Sequence, residues 1–200
     1  LIGEKAGLLP SREWKLKQKN QSWYPGETLI TGIGQGYHQV TPLQLARATA
    51  TLANKGNVVT PFLVDKIVNA HDTRPGPEIH KDVIPLKPNN INTVIEAMIN
   101  VVHSAHGTAK GISKDISYQI AGKTGTAQVL GIKQNAKYNE NDIDFKFRDH
   151  ALFISFAPAD NPKIAVAVIV ENGGHGGSVA APIAAQVIKQ FLQENITTQQ

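Results

Sequence analysis

The sequence contains no cysteine, which excludes disulfide bridges and thiolate chemistry. That absence fits an oxidising or a reducing compartment equally well. Long hydrophobic runs are also missing: the longest, Ile164 to Val170, has the length of a strand and falls far short of a membrane span. Aromatic residues make up only 6% of the chain, and no basic stripe with interleaved aromatics runs on from the cluster Arg12, Lys15, Lys17 and Lys19. With a formal net charge of +4, that cluster reads as a solvated loop, and nucleic acid is not an expected partner. Internal repeats and low-complexity segments are absent. Leu1 opens no signal-peptide pattern and is not preceded by an initiator methionine, so the chain is expected to be a piece of a longer protein.

What is present is ordinary globular material: 200 residues, 41% hydrophobic and 18% charged, enough for one sizeable core. The segment Leu1 to Tyr24 shows no period and reads mostly as loop. Pro25-Gly26 reads as a turn, with a short strand over Glu27 to Ile33 leading into Gly32-Ile33-Gly34-Gln35-Gly36. Glycines at alternate positions there permit unusual backbone angles, suited to cradling an anion or to a tight crossing. A helix follows, with Thr41 as N-cap, Pro42 at its first position, apolar spacing through Leu45, Ala46, Thr49, Leu52 and Ala53, and Gly56 as its stop.

Val58 to Val68 reads as extended, and Asn69 to Pro88 as an exposed excursion. A second helix from Asn89 or Asn90 places Ile91, Val94, Ile95, Met98, Ile99 and Val102 on one stripe and ends near His103 to Gly107. His103 and His106 have a spacing that could hold a metal, but no third ligand accompanies them, so they read as a polar helix end and no metal is assigned. Ile116 to Leu130 reads as a strand, 131–149 as a long polar loop, and Ala151 to Ala157 with Lys163 to Glu171 as a buried antiparallel hairpin. His175, between glycine pairs in a flexible connection, reads as solvated. The last helix starts at Ser178 and is expected to turn Ile183, Val187, Ile188 and Phe191 towards one face of the sheet.

The richest stretch is Ala121-Gly122-Lys123-Thr124-Gly125-Thr126-Ala127-Gln128. Gly122-Lys123-Thr124 looks like the end of a phosphate-binding loop, but that motif needs glycine five positions before Gly122 and a helix afterwards. Ser117 stands at that position, and Gly125 with Thr126 follows where the helix should begin, which sets the nucleotide reading aside. On a strand, alternation puts Lys123 and Gly125 on one face and Thr124 and Thr126 on the other. A ligand touching all four must then lie along the strand's edge, where free N–H and C=O groups can pair with an extended peptide. Lysine beside two hydroxyls suits a carboxylate. A glycine-weakened strand with a surface lysine explains the same residues without any ligand.

In order, Gly34-Gln35-Gly36, Thr41-Pro42-Leu43-Gln44-Leu45-Ala46, Gly107-Thr108-Ala109 and the stretch from Ala121 to Gln128 resemble the carboxy-terminal half of a penicillin-binding transpeptidase domain. Pro10-Ser11-Arg12-Glu13-Trp14-Lys15, Val129-Leu130-Gly131 and Arg148-Asp149-His150-Ala151-Leu152 resemble its class B, elongation-specific branch. The resemblance covers essentially the whole chain. It implies an α+β fold of the penicillin-binding protein and β-lactamase type, with an antiparallel sheet backed by the last helix, residues 1–200 being the C-terminal part of a single domain.

By that resemblance Lys123 is catalytic and contributes positive charge, and Thr126 lends its backbone N–H as one of two oxyanion donors. Lys123, Thr124, Gly125 and Thr126 together bind substrate, the two hydroxyls holding the terminal carboxylate of a D-Ala-D-Ala stem peptide or of a β-lactam. The family needs no cofactor, and any zinc ligands of elongation-type members would lie upstream. The implied partners are peptidoglycan stem peptides, β-lactam antibiotics and a membrane glycosyltransferase of the shape, elongation, division and sporulation family. The implied location is the periplasmic side of the bacterial inner membrane, through an N-terminal anchor outside this chain.

The family's Ser-x-x-Lys and Ser-x-Asn motifs are not found. None of Ser11, Ser22, Ser104, Ser113, Ser117, Ser155 or Ser178 has lysine three positions on. The nucleophile is therefore expected upstream of Leu1, and these 200 residues alone to be inactive. A D,D-carboxypeptidase or β-lactamase of the same fold, and a non-catalytic sensor that holds β-lactams on a Lys-Thr-Gly edge, are the alternatives.

Overall fold

The computed structural model describes residues 3–69, 72–76, 82–114, 116–129 and 143–197. The chain divides into two compact units, Leu1–Gln44 and Leu45–Gln200, with the boundary inside a helix. In the first unit, α1 (Arg12–Lys19) and α2 (Pro25–Gly32) replace the expected loop and strand. The cause in α1 is end chemistry rather than period. Ser11 Oγ accepts the Trp14 N–H at 3.1 Å, and Asn20 closes the helix in the left-handed region.

In α2 the Thr-Leu-Ile run suggests a strand, but Pro25 sits preset at the first helical position and Glu27 reaches back to the Tyr24 N–H at 2.8 Å. Glu27 also pairs with the buried Lys15 ammonium at 2.7 Å, and Lys15 lies 4.4 Å from the centre of the Tyr24 ring. The Lys15 hydrogen bond and then the Tyr24 amide hold the Glu27 carboxyl below its ordinary pKa. Gly34 and Gly36 both take positive φ. They let the chain turn back towards Gln39, which pairs with Leu8 in an isolated bridge.

Helix α3 (Pro42–Ala53) opens with a reciprocal cap: Thr41 Oγ1 accepts the Gln44 N–H at 3.1 Å while Gln44 Oε1 accepts the Thr41 N–H at 2.9 Å. Within the second unit its buried Thr49 and Thr51 satisfy their hydroxyls on the carbonyls of Leu45 and Arg47, four residues back. Gly56 ends the α3 region with φ +98, as its glycine predicts.

The expected extended segment and exposed excursion contain a small antiparallel ribbon, β1 (Lys66–Val68) against β2 (Thr73–Pro75), exposed throughout. Residues 70–71 and 77–81 of the excursion lie outside the described residues. Helix α4 (Pro88–His103) buries Ile91, Met98 and Val102, whereas Val94, expected on that stripe, is exposed.

The main sheet is antiparallel, with order β3 (Ala121–Ala127), β4 (His150–Ala157), β5 (Ile164–Val170). The strand expected over Ile116 to Leu130 is shorter because Ile120 precedes pairing, and Leu130 with 131–142 of the expected loop lies outside the described residues. Alternate residues of the central strand feed two cores. Ala151, Phe153 and Ala157 pack with Val102, Ile120 and the helix α5 (Ala180–Thr197), while Phe156 joins Ala53, Met98 and Ala121.

Both faces are thus covered, and this is why β5 is apolar at every position rather than alternating. The side of α5 that packs matches expectation at Ile188 alone among the four residues named. Ala180, Ala181, Ala184 and Ile188 are buried, while Ile183, Val187 and Phe191 stay about two-fifths exposed. Small side chains let the helix axis approach the sheet closely, and that closeness outweighs the area a bulkier stripe would bury.

Candidate active site

Strand β3 pairs with β4 alone, so among the described residues its other side is an open sheet margin. Residues paired across antiparallel strands share a face. Thr124 and Thr126 accordingly lie on the face of Phe153 and Ala151, and Lys123 and Gly125 on that of Ile154 and Leu152. The four residues singled out from sequence therefore sit along one margin, with Lys123 and Thr126 exposed and Thr124 and Gly125 half-buried. Lys123 Nζ donates to the main-chain oxygen of Thr124 at 2.6 Å, which folds the ammonium back along the strand.

Two other segments shape this margin, and neither is adjacent to it in sequence. Thr108, in the turn after α4, brings its hydroxyl to 3.0 Å from that of Thr124. The connection between β5 and α5 lies over the strand pair at Gly176, where any side chain would meet the Leu152 carbonyl and come within 2.7 Å of the Gly125 oxygen. A side chain at Gly177 would meet the Thr108 carbonyl in the same way. Asn172 fixes this connection: its N–H donates to His150 Nδ1 at 2.9 Å and its amide to the carbonyls of Arg148 and Lys146 at 2.9 and 3.1 Å. His175 itself is exposed, and its carbonyl accepts the Val179 N–H at the head of α5.

The ends of β3 are held by side chains. At the entry His103 Nε2 accepts the Ile120 N–H at 3.0 Å, so this nitrogen serves the backbone. At the exit Asp149 Oδ1 accepts the Val129 N–H at 3.2 Å, while the Asp149 carbonyl accepts the Gly174 N–H at 2.8 Å. Sequence reading singled out none of these contacts, because each joins residues seventeen or more positions apart. The glycine pair at Gly176-Gly177, directly before a helix, was the one local signal of close approach.

Burial holds the His103 imidazole below its ordinary pKa of 6.5, and a main-chain N–H aimed at Nε2 requires that nitrogen to be unprotonated. Above about pH 6.5 the ring is neutral both folded and unfolded, and its contribution to stability is whole. As pH falls below that value the unfolded chain takes up the proton first, and stability declines until the lower folded pKa is passed. Melting temperatures measured from roughly pH 8 to 5 should record this decline, and His103→Gln, which keeps an acceptor that does not titrate, should flatten it. An identical slope in the variant would remove His103 from the account.

No group of three or more His, Asp or Glu side chains that could hold a metal occurs among the described residues. Residues 1–189 match the penicillin binding protein transpeptidase domain. The chain is 42% identical over 194 residues to the peptidoglycan D,D-transpeptidase MrdA of Haemophilus influenzae, covering 96% of this chain and 30% of that protein. It is 44% identical over 196 residues to MrdA of Acinetobacter baumannii, covering 96% and 28% respectively. Among solved structures, Pseudomonas aeruginosa PBP2 in complex with WCK 5153 superposes with a TM-score of 0.79 at 47% identity, covering 96% of this chain and 39% of that one.

The chain spans about a third of the length of the curated relatives it matches. The α+β transpeptidase fold and the resemblance to the branch of penicillin-binding protein 2 read from the sequence are both borne out. On the match over residues 1–189, the chain belongs to the penicillin-binding protein transpeptidase domain family.

Proposed function

We propose that this chain is the carboxy-terminal part of a peptidoglycan D,D-transpeptidase of cell-wall elongation, a serine enzyme that β-lactams acylate. The observation that carries the reading is the open margin of β3, which presents Lys123, Thr124, Gly125 and Thr126 in a chain of this family. An extended peptide ending in a carboxylate pairs along such a margin, and the missing side chain at Gly125 lets its backbone come close.

In the reaction a serine outside these residues attacks the carbonyl of the penultimate D-Ala. The bond to the terminal D-Ala breaks, and that residue leaves as the free amino acid, its nitrogen taking the proton given up by serine. An amine of a second stem peptide then attacks the ester and restores the serine. Lys123 supplies positive charge, the hydroxyls of Thr124 and Thr126 hold the terminal carboxylate, and the backbone N–H of Thr126 is one of two oxyanion donors. Such a donor is worth about 2.7 to 4 kcal/mol in the transition state.

The setting we propose is the periplasmic face of the inner membrane, with an anchor outside these residues. A membrane glycosyltransferase is the partner that would supply the glycan strands. One related structure is a complex between penicillin-binding protein PBP2 and MreC from Helicobacter pylori, which supports a multi-protein setting for the parent of this chain. No described helix of this chain is long and apolar enough to cross a membrane.

A fluorescent penicillin incubated with the full-length protein should give a stable covalent label that is released slowly. Rapid turnover would mark a hydrolase instead, and no label a sensor. The 200-residue chain alone should remain unlabelled, since its seven serines lack the required lysine. Labelling of that chain would place a nucleophile within it and overturn this division of the site.

A further inference from the structure

Thr108 belongs to a turn that leaves it little freedom. The Ala109 N–H donates to the Val101 carbonyl at 3.0 Å and the Lys110 N–H to the Gly107 carbonyl at 3.2 Å. Ala109 is buried in the core, and Gly107 passes so close to α4 that a side chain there would come within 2.7 Å of the Asn100 carbonyl. Gly177 closes the opposite side, where any side chain would meet the Thr108 carbonyl and come within 3.5 Å of Thr124 Cγ2. The Thr108 hydroxyl is thus delivered to the Thr124 hydroxyl, 3.0 Å away, by backbone that is fixed before any ligand arrives.

A threonine hydroxyl has one proton to give and lone pairs to accept. If Thr124 donates to Thr108, its proton is used up and its lone pairs face an incoming anion. If Thr108 donates to Thr124, the Thr124 proton is free for the anion, and the two bonds in sequence strengthen each other. An anion at Thr124 therefore selects the second arrangement.

We infer that Thr108 is a positioning residue for carboxylate recognition: it donates to Thr124 and so turns the Thr124 proton towards the carboxylate of a stem peptide or β-lactam. It acts through Thr124 and touches no reacting atom. The inference rests on the reading of β3 as the carboxylate-binding margin.

The test uses the full-length protein and two probes, benzylpenicillin and its methyl ester, with acylation rate constants measured for each. Thr108→Val keeps the shape and removes the hydroxyl. It should slow acylation by the acid about five- to tenfold and leave the ester unchanged, with Thr108→Ser restoring the acid rate. Equal slowing of acid and ester would make Thr108 merely structural, and an unchanged acid rate would remove it from recognition; either result overturns the inference. Thr124→Val separates the levels. If it too fails to discriminate acid from ester, the reading of the margin falls. If it discriminates while Thr108→Val does not, only the role of Thr108 falls.

Discussion

Lys123→Ala in the full-length protein is expected to lower the acylation rate by a penicillin about a hundredfold or more while leaving the melting temperature unchanged. The two halves of this expectation come from different parts of the structure. Lys123 is exposed, and the one hydrogen bond of its ammonium described above goes to the carbonyl of the next residue, so its removal leaves no cavity and no buried orphan. Substitutions of that kind usually stay within about 0.5 kcal/mol in stability. In the proposed role the same charge would act where the serine proton moves and the oxyanion forms, in a site that screens it poorly once substrate has displaced the water. Lys123→Arg should recover little, because a planar guanidinium is not a compact ammonium. Undiminished acylation in Lys123→Ala would sink the assigned role.

Phe153→Ala should destabilise the chain by about 3 to 5 kcal/mol, lowering its melting temperature by on the order of 10 °C. Phe153 is fully buried on the central strand, among Val102, Ile120 and the alanines of α5. Its ring also occupies the space where Gly122 would carry a side chain. Truncation therefore opens a void that the buried alanines of α5, Ala180, Ala181 and Ala184, are too short to fill. Because that void lies under the residue before Lys123, the damage should extend to the site. A loss below about 1 kcal/mol in thermal or denaturant unfolding would show that the core collapses around the gap, and would refute the packing described here.

Legibility followed the range of the forces involved. The α3 helix was readable because its cap, first proline and terminal glycine all act within one turn, and the β4–β5 hairpin because its apolar residues demand cover on both faces. In α1 and α2 the apolar period is too weak to read, and one serine and one glutamate at their starts decide the outcome. Apart from Ile188, the buried side of α5 was misjudged because hydrophobicity ranks isoleucine, valine and phenylalanine above alanine, whereas close approach to a sheet favours the smaller side chain. At the site, Lys123 to Thr126 stood out from composition alone. Thr108 was visible only as part of a resemblance, and its contact with Thr124 spans sixteen residues of chain.

The imidazole before β3 and the carboxylate after it turn the margin into a bowstring between two posts. A strand paired on one side and held at its ends does not need a second neighbour on its outer side, which can stay wet until a peptide replaces the water. Drift in sensitivity to antibiotics could then arise at the posts, by retuning the pitch of the string, without any change in the residues the drug touches.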